Sequence, residues 1–192
     1  LLFTGDWKND AESPHELPAN LAGIASERPY DVVFADSTNA RSSRRAVSES
    51  EVSSALYDVI RNAEGRVIVA QFASHVRRAV QVMEEASRAG RRVGVIGRSL
   101  KRAIEHAEEG GYVSIPDGVL MTEGEWNSLP DESVVLIVTG TQAEPRASLP
   151  RAARGDHNLF EIDETDTVVM SARIIPGNEA GVYNVLNAVV AK

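Results

Sequence analysis

Cysteine is absent from the 192 residues. No disulfide, thiolate metal site or thiol nucleophile can form, which fits a cytoplasmic protein. No apolar run is long enough to span a bilayer, so no membrane partner is expected. An excess of positive charge is also missing. Lys and Arg total 20 against 28 Asp and Glu, a formal net charge of -8. The chain as a whole repels nucleic acid, and any affinity for it must come from a local basic patch. The histidines, His15, His75, His106 and His157, show neither H-x-H nor H-x-x-x-H spacing. Sequence-local ligands therefore cannot close a zinc site. Gly94-Val95-Ile96-Gly97 lacks the dinucleotide fingerprint, which argues against a nicotinamide cofactor. There is no Ser-His-Asp arrangement, internal repeat or low-complexity tract. The opening Leu-Leu-Phe-Thr-Gly-Asp lacks the basic and long apolar regions of a signal peptide. It begins inside a strand pattern without Met, as expected for a piece of a longer protein.

What is present is ordinary for a globular chain: 43% hydrophobic and 25% charged residues, enough for one or two domains with a sizeable core. Near the start, Leu2-Phe3 and Tyr30–Ala35 read as apolar strands, the second as buried, each followed by an acid and a polar turn. A short helix is expected near Leu17–Ala25. Asn39–Arg45 is polar and basic and reads as a linker, dividing residues 1–40 from 41–192.

Beyond it the pattern is regular. Ser48 and Glu51 form a capping box ahead of Val52, Leu56, Val59 and Ile60 at helical spacing. Gly65 ends that helix. Strands are predicted over Arg66–Phe72, Arg92–Ile96, Ser133–Thr139 and Thr167–Ser171. Helices are predicted over Ser74–Ala89, Ser99–Glu109, Ala147–Arg154 and Asn178–Val190. Strands that are apolar on both faces and alternate with helices predict an α/β fold. Its sheet is Rossmann-like and parallel, with helices on both faces.

In such sheets ligands lie beyond the carboxyl ends of the strands. That rule selects the loops at Phe72-Ala73-Ser74-His75, Gly97-Arg98-Ser99, Thr139-Gly140-Thr141-Gln142 and Ala172-Arg173 with Pro176-Gly177-Asn178. Small and hydroxyl residues there lead into helix N-termini, whose free N–H groups favour phosphate. Plain helix capping is the alternative at each loop. Among the cations, Arg44 and Arg98 are the candidate phosphate ligands, while Arg88, Arg91 and Arg92 read as solvated positions on helix faces rich in Glu.

Thr4-Gly5-Asp6-Trp7-Lys8, Asp36-Ser37-Thr38-Asn39 and the strand-end loops above, taken in order along the chain, resemble the motifs of the ribonuclease J family of metallo-β-lactamase-fold nucleases. Thr4-Gly5-Asp6-Trp7-Lys8 is similar to that family's T-G-D-F/W-K string. Asp36-Ser37-Thr38-Asn39 resembles the acidic motif that opens its β-CASP region. Ser48-Glu49, Phe72-Ala73-Ser74, Gly97-Arg98-Ser99, Thr139–Pro145 and Ile175–Glu179 match further landmarks in order. The resemblance implies that residues up to about 40 end the first half of a lactamase domain and that the rest is the inserted β-CASP domain. It implies that Asp6 bridges two zinc ions and that Asp36 orients a histidine from further along the parent. Ser74, His75, Arg98, Ser99, Thr141, Gln142 and Arg44 would line the path of the RNA. The implied parent hydrolyses RNA phosphodiester bonds, endonucleolytically and 5′-to-3′ exonucleolytically, by metal-activated water. Its H-x-H-x-D-H ligands are expected in remaining segments of the lactamase domain, so this piece alone is expected to be inactive and to hold no zinc tightly. The parent could assemble as a homo-oligomer. Two departures stand out. Ala143 occupies a position where the family has Gly, and Ala40–Val47 lacks a Pro-Gly turn. The competing reading is a stand-alone module that binds a nucleotide or an RNA 5′ end without catalysis. A third is a hydrolase of another phosphodiester such as DNA.

Overall fold

A computed structural model describes residues 1–5, 23, 24, 26, 29–38, 40, 41, 43 and 46–192. Of the helix expected over Leu17–Ala25, Gly23 and Ile24 are described and both are helical. The chain divides into two compact units, Leu1–Ser54 and Ala55–Lys192.

In the first unit, β1 (Leu2–Phe3) pairs in parallel with β2 (Val33–Phe34), Phe3 opposite Phe34. The Thr4 N–H donates to the Phe34 carbonyl at 3.0 Å, carrying the pairing past the last strand residue. The two Phe rings stack at 4.5 Å. The expectation of a buried strand at Tyr30–Ala35 needs correction. Val33 is 53% exposed and Phe34 51%, because a sheet of two strands cannot cover both of its faces. α1 (Glu49–Asn62) begins in the first unit, continues into the second, and is entered through the expected capping box. The Glu51 N–H donates to Ser48 Oγ at 3.1 Å and the Ser48 N–H to Glu51 Oε2 at 2.7 Å.

The second unit is built on a four-stranded parallel sheet. Its strands are β3 (Val67–Ala70), β4 (Arg92–Ile96), β5 (Val134–Val138) and β6 (Thr167–Met170), in the order β4-β5-β3-β6. Between them lie α2 (Val76–Arg88), α3 (Arg98–Glu109) and α4 (Ser148–Arg154), and α5 (Glu179–Val190) follows. Side chains alternate across the sheet. Ile68, Ala70, Ile96, Leu136 and Val138 form one core with Leu149 and Ala152 of α4, Trp126 and Phe160. Val185 and Val189 of α5 close it. Val67, Val69, Val93, Val135 and Ile137 face the other way, where α2 packs on β4 and β5 and also against α3. Every residue of β5 is buried, which explains its uninterrupted apolar run. Each such Val, Leu or Ile contributes about 1.5–3 kcal/mol on burial. Close approach is built in at Gly94, where a Cβ would stand 2.6 Å from Trp126 Cε3.

The strand order has a consequence for binding. The chain leaves β3 through α2 toward β4, and leaves β5 through α4 toward β6 on the far side of β3. With right-handed crossovers the two helices depart to opposite faces. A crevice therefore opens between the carboxyl ends of β3 and β5.

Candidate functional site

The floor of that crevice is held by backbone. The Gln71 N–H donates to the Val138 carbonyl at 3.0 Å, and the Ser171 N–H to the Ala70 carbonyl at 2.8 Å. The Leu149 N–H donates to the Thr139 carbonyl at 2.9 Å, seating the start of α4 on the end of β5. The loops after β3, β5 and β6 thus leave side by side.

Helix starts at this edge differ from that of α1. His75 and Gly97 stand at the N-caps of α2 and α3, and neither makes a side-chain capping bond. Neither helix has an acid in its first turn. Ser74 and Ser99 are exposed, and neither serves as a cap residue here. The positive end of each helix dipole therefore has no side-chain carboxylate of its own first turn to offset it.

Of the residues singled out in the sequence, Ser74, His75, Arg98 and Ser99 lie exposed at this edge. Thr141 is 1% exposed and withdrawn from the surface. Gln142 is half-buried with its amide engaged inside the protein, where its Nε2 donates to the Arg173 carbonyl at 2.8 Å. Arg44 and Asp6 lie outside the described residues. The structure adds Arg146, exposed in the loop after β5, and Arg173, exposed in the loop after β6. A strand-end loop with a lone arginine was the available signal for Arg146. Ala143 adopts a left-handed conformation, φ 62°, which costs a residue with a Cβ roughly 1–2 kcal/mol. Replacing Ala143 with Gly will stabilise the chain by up to about 1 kcal/mol in urea unfolding, since a freer unfolded chain offsets part of the relief.

At the ends of β1 and β2, the Asp36 N–H donates to Thr4 Oγ1 at 3.3 Å, so the two strand ends meet. Asp36 Oδ1 accepts the Thr38 hydroxyl at 2.6 Å and its N–H at 2.9 Å. The hydroxyl first, then the N–H, hold this carboxyl below its ordinary range. Asp36 is thus a fixed, ionised acceptor. Among the described residues no three His, Asp or Glu come together to hold a metal ion. The described donor set does not fit a metal centre by itself.

The opposite, amino end of the second unit's sheet carries the other sign. A crevice of about 860 Å³ is lined there by Glu64, Asp131, Glu132, Glu164 and Asp166 among others. Arg66 donates through Nε and Nη2 to the two oxygens of Asp166, at 2.9 and 2.7 Å, and through Nη2 to the Glu161 carbonyl at 2.6 Å. Burial raises the Asp166 carboxyl against the pull of this guanidinium. The reading of Arg91 as solvated is corrected. It is buried, with its guanidinium on the Gly65 carbonyl at 2.7 Å and on that of Ala63, closing the end of α1. Arg88 and Arg92 pair with Glu85 and Glu125.

A family model described as Ribonuclease J, beta-CASP domain matches residues 64–189. The chain is 40% identical over 190 residues to a protein named Ribonuclease J from Mycolicibacterium smegmatis, covering 98% of this chain and 34% of that protein. It is 34% identical over 194 residues to Ribonuclease J of Helicobacter pylori, covering 100% of this chain and 28% of that protein. To Ribonuclease J of Corynebacterium glutamicum it is 35% identical over 189 residues, 97% of this chain and 26% of that protein. The chain spans about a third of the length of these relatives or less.

Proposed function

The chain belongs to the ribonuclease J family and carries its β-CASP domain, and from that premise we propose that the carboxyl edge of the sheet grips the phosphates of RNA for a ribonuclease. One observation carries the reading. The four helices that follow β3, β4, β5 and β6 open at that edge without side-chain caps, and its loops and helix starts carry exposed Arg98, Arg146 and Arg173 against exposed Glu144 and Glu179, whereas the crevice at the amino end is lined with carboxylates alone among its charged groups. An acidic chain can hold a polyanion only where its charge is locally reversed.

In the parent, residues 1–40 end the first half of a lactamase domain and residues 41–192 are the inserted β-CASP domain that helps hold RNA. Asp6 binds metal, zinc in this reading, and Asp36 orients a ligand histidine through the oxygen that its Thr38 turn leaves over. A bound metal pair would supply a hydroxide nucleophile and neutralise phosphate charge. Ser74, His75, Ser99 and Arg44 contact the backbone of RNA that is cleaved internally or from its 5′ end. This chain alone does not cleave, and it works in the cytoplasm.

Affinity of the intact protein for a short single-stranded RNA, measured across salt concentrations, tests this. Arg98→Ala will weaken binding uniformly across sequences and flatten the log K against log salt slope by about 0.7. An unchanged slope and affinity for Arg98→Ala and Arg146→Ala together would remove the edge from the RNA path.

A further inference from the structure

We propose that Gln142 is a positioning residue, a clip that fastens the loop after β6 to the loop after β5 and so fixes the edge that receives RNA without itself touching RNA. The inference deepens the reading above and rests on it. β5 and β6 are not neighbours, since β3 lies between them. β3 sets the spacing of these two strands, but no ladder of hydrogen bonds joins them directly, so a side-chain tie is what can fasten the loops they feed to each other.

The Gln142 amide is that tie. Its Nε2 donates to the Arg173 carbonyl at 2.8 Å, and its Oε1 accepts the Ile175 N–H at 2.8 Å. Oε1 also accepts from Asn178 Nδ2 at 3.3 Å, at the N-cap of α5. The side chain thus meets a carbonyl and the N–H two residues on, as a neighbouring peptide would. A primary amide presents donor and acceptor in one plane, which a carboxylate, hydroxyl or ammonium does not. Its own backbone N–H is held by Glu144 Oε2 at 3.0 Å. Oε1 accepts two hydrogen bonds and Nε2, besides donating to Arg173, lies 3.5 Å from Thr141 Oγ1, so the amide is committed to the protein. Ala143, the next residue, packs toward α5, where a Cβ on Gly181 would lie 3.2 Å from Ala143 Cβ. The clip therefore seats the start of α5 and the backbone of Arg173 together.

These bonds lie at the surface, where each adds little to global stability, so breaking them loosens the loop and leaves the fold standing. The test uses the intact protein with Gln142→Ala, Gln142→Glu and Asn178→Ala. Two quantities are measured: hydrogen exchange of the Ile175 amide, and affinity for a short single-stranded RNA. Gln142→Ala will speed Ile175 exchange and weaken RNA binding, each by roughly five- to tenfold. Gln142→Glu keeps the acceptor and will show a smaller rise in exchange. Asn178→Ala removes one bond and will move both quantities in the same direction by less. Weaker RNA binding with unchanged Ile175 exchange would make Gln142 a direct RNA contact and overturn the inference. Faster exchange with unchanged RNA affinity would also overturn it, while leaving the proposed function intact. Absence of RNA binding by the wild type would overturn both.

Discussion

Asp166→Ala will lower the unfolding free energy of the chain by about 3–5 kcal/mol. The Asp166 side chain is 0% exposed and that of Arg66 9%. The guanidinium fork meets both carboxylate oxygens and also holds the Glu161 carbonyl. Removing the carboxylate leaves Arg66 charged and desolvated, with the Glu161 carbonyl and only the half-exposed Asp163 carboxylate, 4.0 Å away, to offset it. Arg66 cannot escape by losing its proton. The Asp163 N–H, which donates to Asp166 Oδ2 at 3.1 Å, loses its acceptor as well. Urea unfolding measures the loss, and a change under about 1 kcal/mol would mean that the pair behaves as a surface pair. Replacing both partners, Arg66→Met with Asp166→Leu, will recover most of the stability, because the cost lies in the charge left behind and not in the pair itself.

Gly140→Ala will cost about 2–5 kcal/mol and weaken RNA binding with it. Gly140 sits at φ 113°, a conformation that side chains rarely adopt. A Cβ there would also stand 2.4 Å from Pro150 Cδ and 3.0 Å from Ala147 Cβ. Pro150 is a rigid ring buried in α4, and α4 is tied to the end of β5 through Leu149 and Thr139. Neither neighbour can retreat cheaply, so the loop must move, and Gln142 moves with it. Gly118→Ala is the control. It too has positive φ, 70°, but nothing lies within 4 Å of its added Cβ. It will cost only the conformational part, about 1 kcal/mol, with RNA binding retained. Equal effects at the two positions would show that the tight packing at Gly140 is irrelevant.

Regular elements of the second unit were legible because each one's pattern is local. Arg92–Ile96 is predicted and observed with the same bounds, and Ser133–Thr139 encloses β5. Both are short apolar runs between turn residues, which only a strand covered on both faces tolerates. The order β4-β5-β3-β6 was not legible, since nothing along the chain states that β5 inserts between β3 and β4. Long-range polar contacts were hidden for the same reason. Arg91 looks like a surface cation until the carbonyls of Ala63 and Gly65, 28 and 26 residues away, are brought to it. Asp166 is a loop acid until Arg66, 100 residues earlier, closes on it. Gln142 reads as a ligand from its place in a strand-end loop, and its partners lie 31 to 36 residues later. Ser74, His75, Arg98 and Ser99 lie exposed at the carboxyl edge where the sequence put them, because the carboxyl-end rule needs only strand boundaries. Arg146 obeys the same rule and was hidden by its ordinary surroundings. Exposure of Phe34 was missed because an apolar run signals a strand without saying what covers it.

In the proposed function RNA lies on the carboxyl edge of the second unit's sheet. Hydrogen exchange of the intact protein, with and without a short single-stranded RNA, tests it most directly. The account predicts slowed exchange at the starts of α2 and α3 and in residues 140–146, with no change around Gly65, Glu132 and Thr165. Protection at that acidic amino end, or an edge unaltered by saturating RNA, would contradict it.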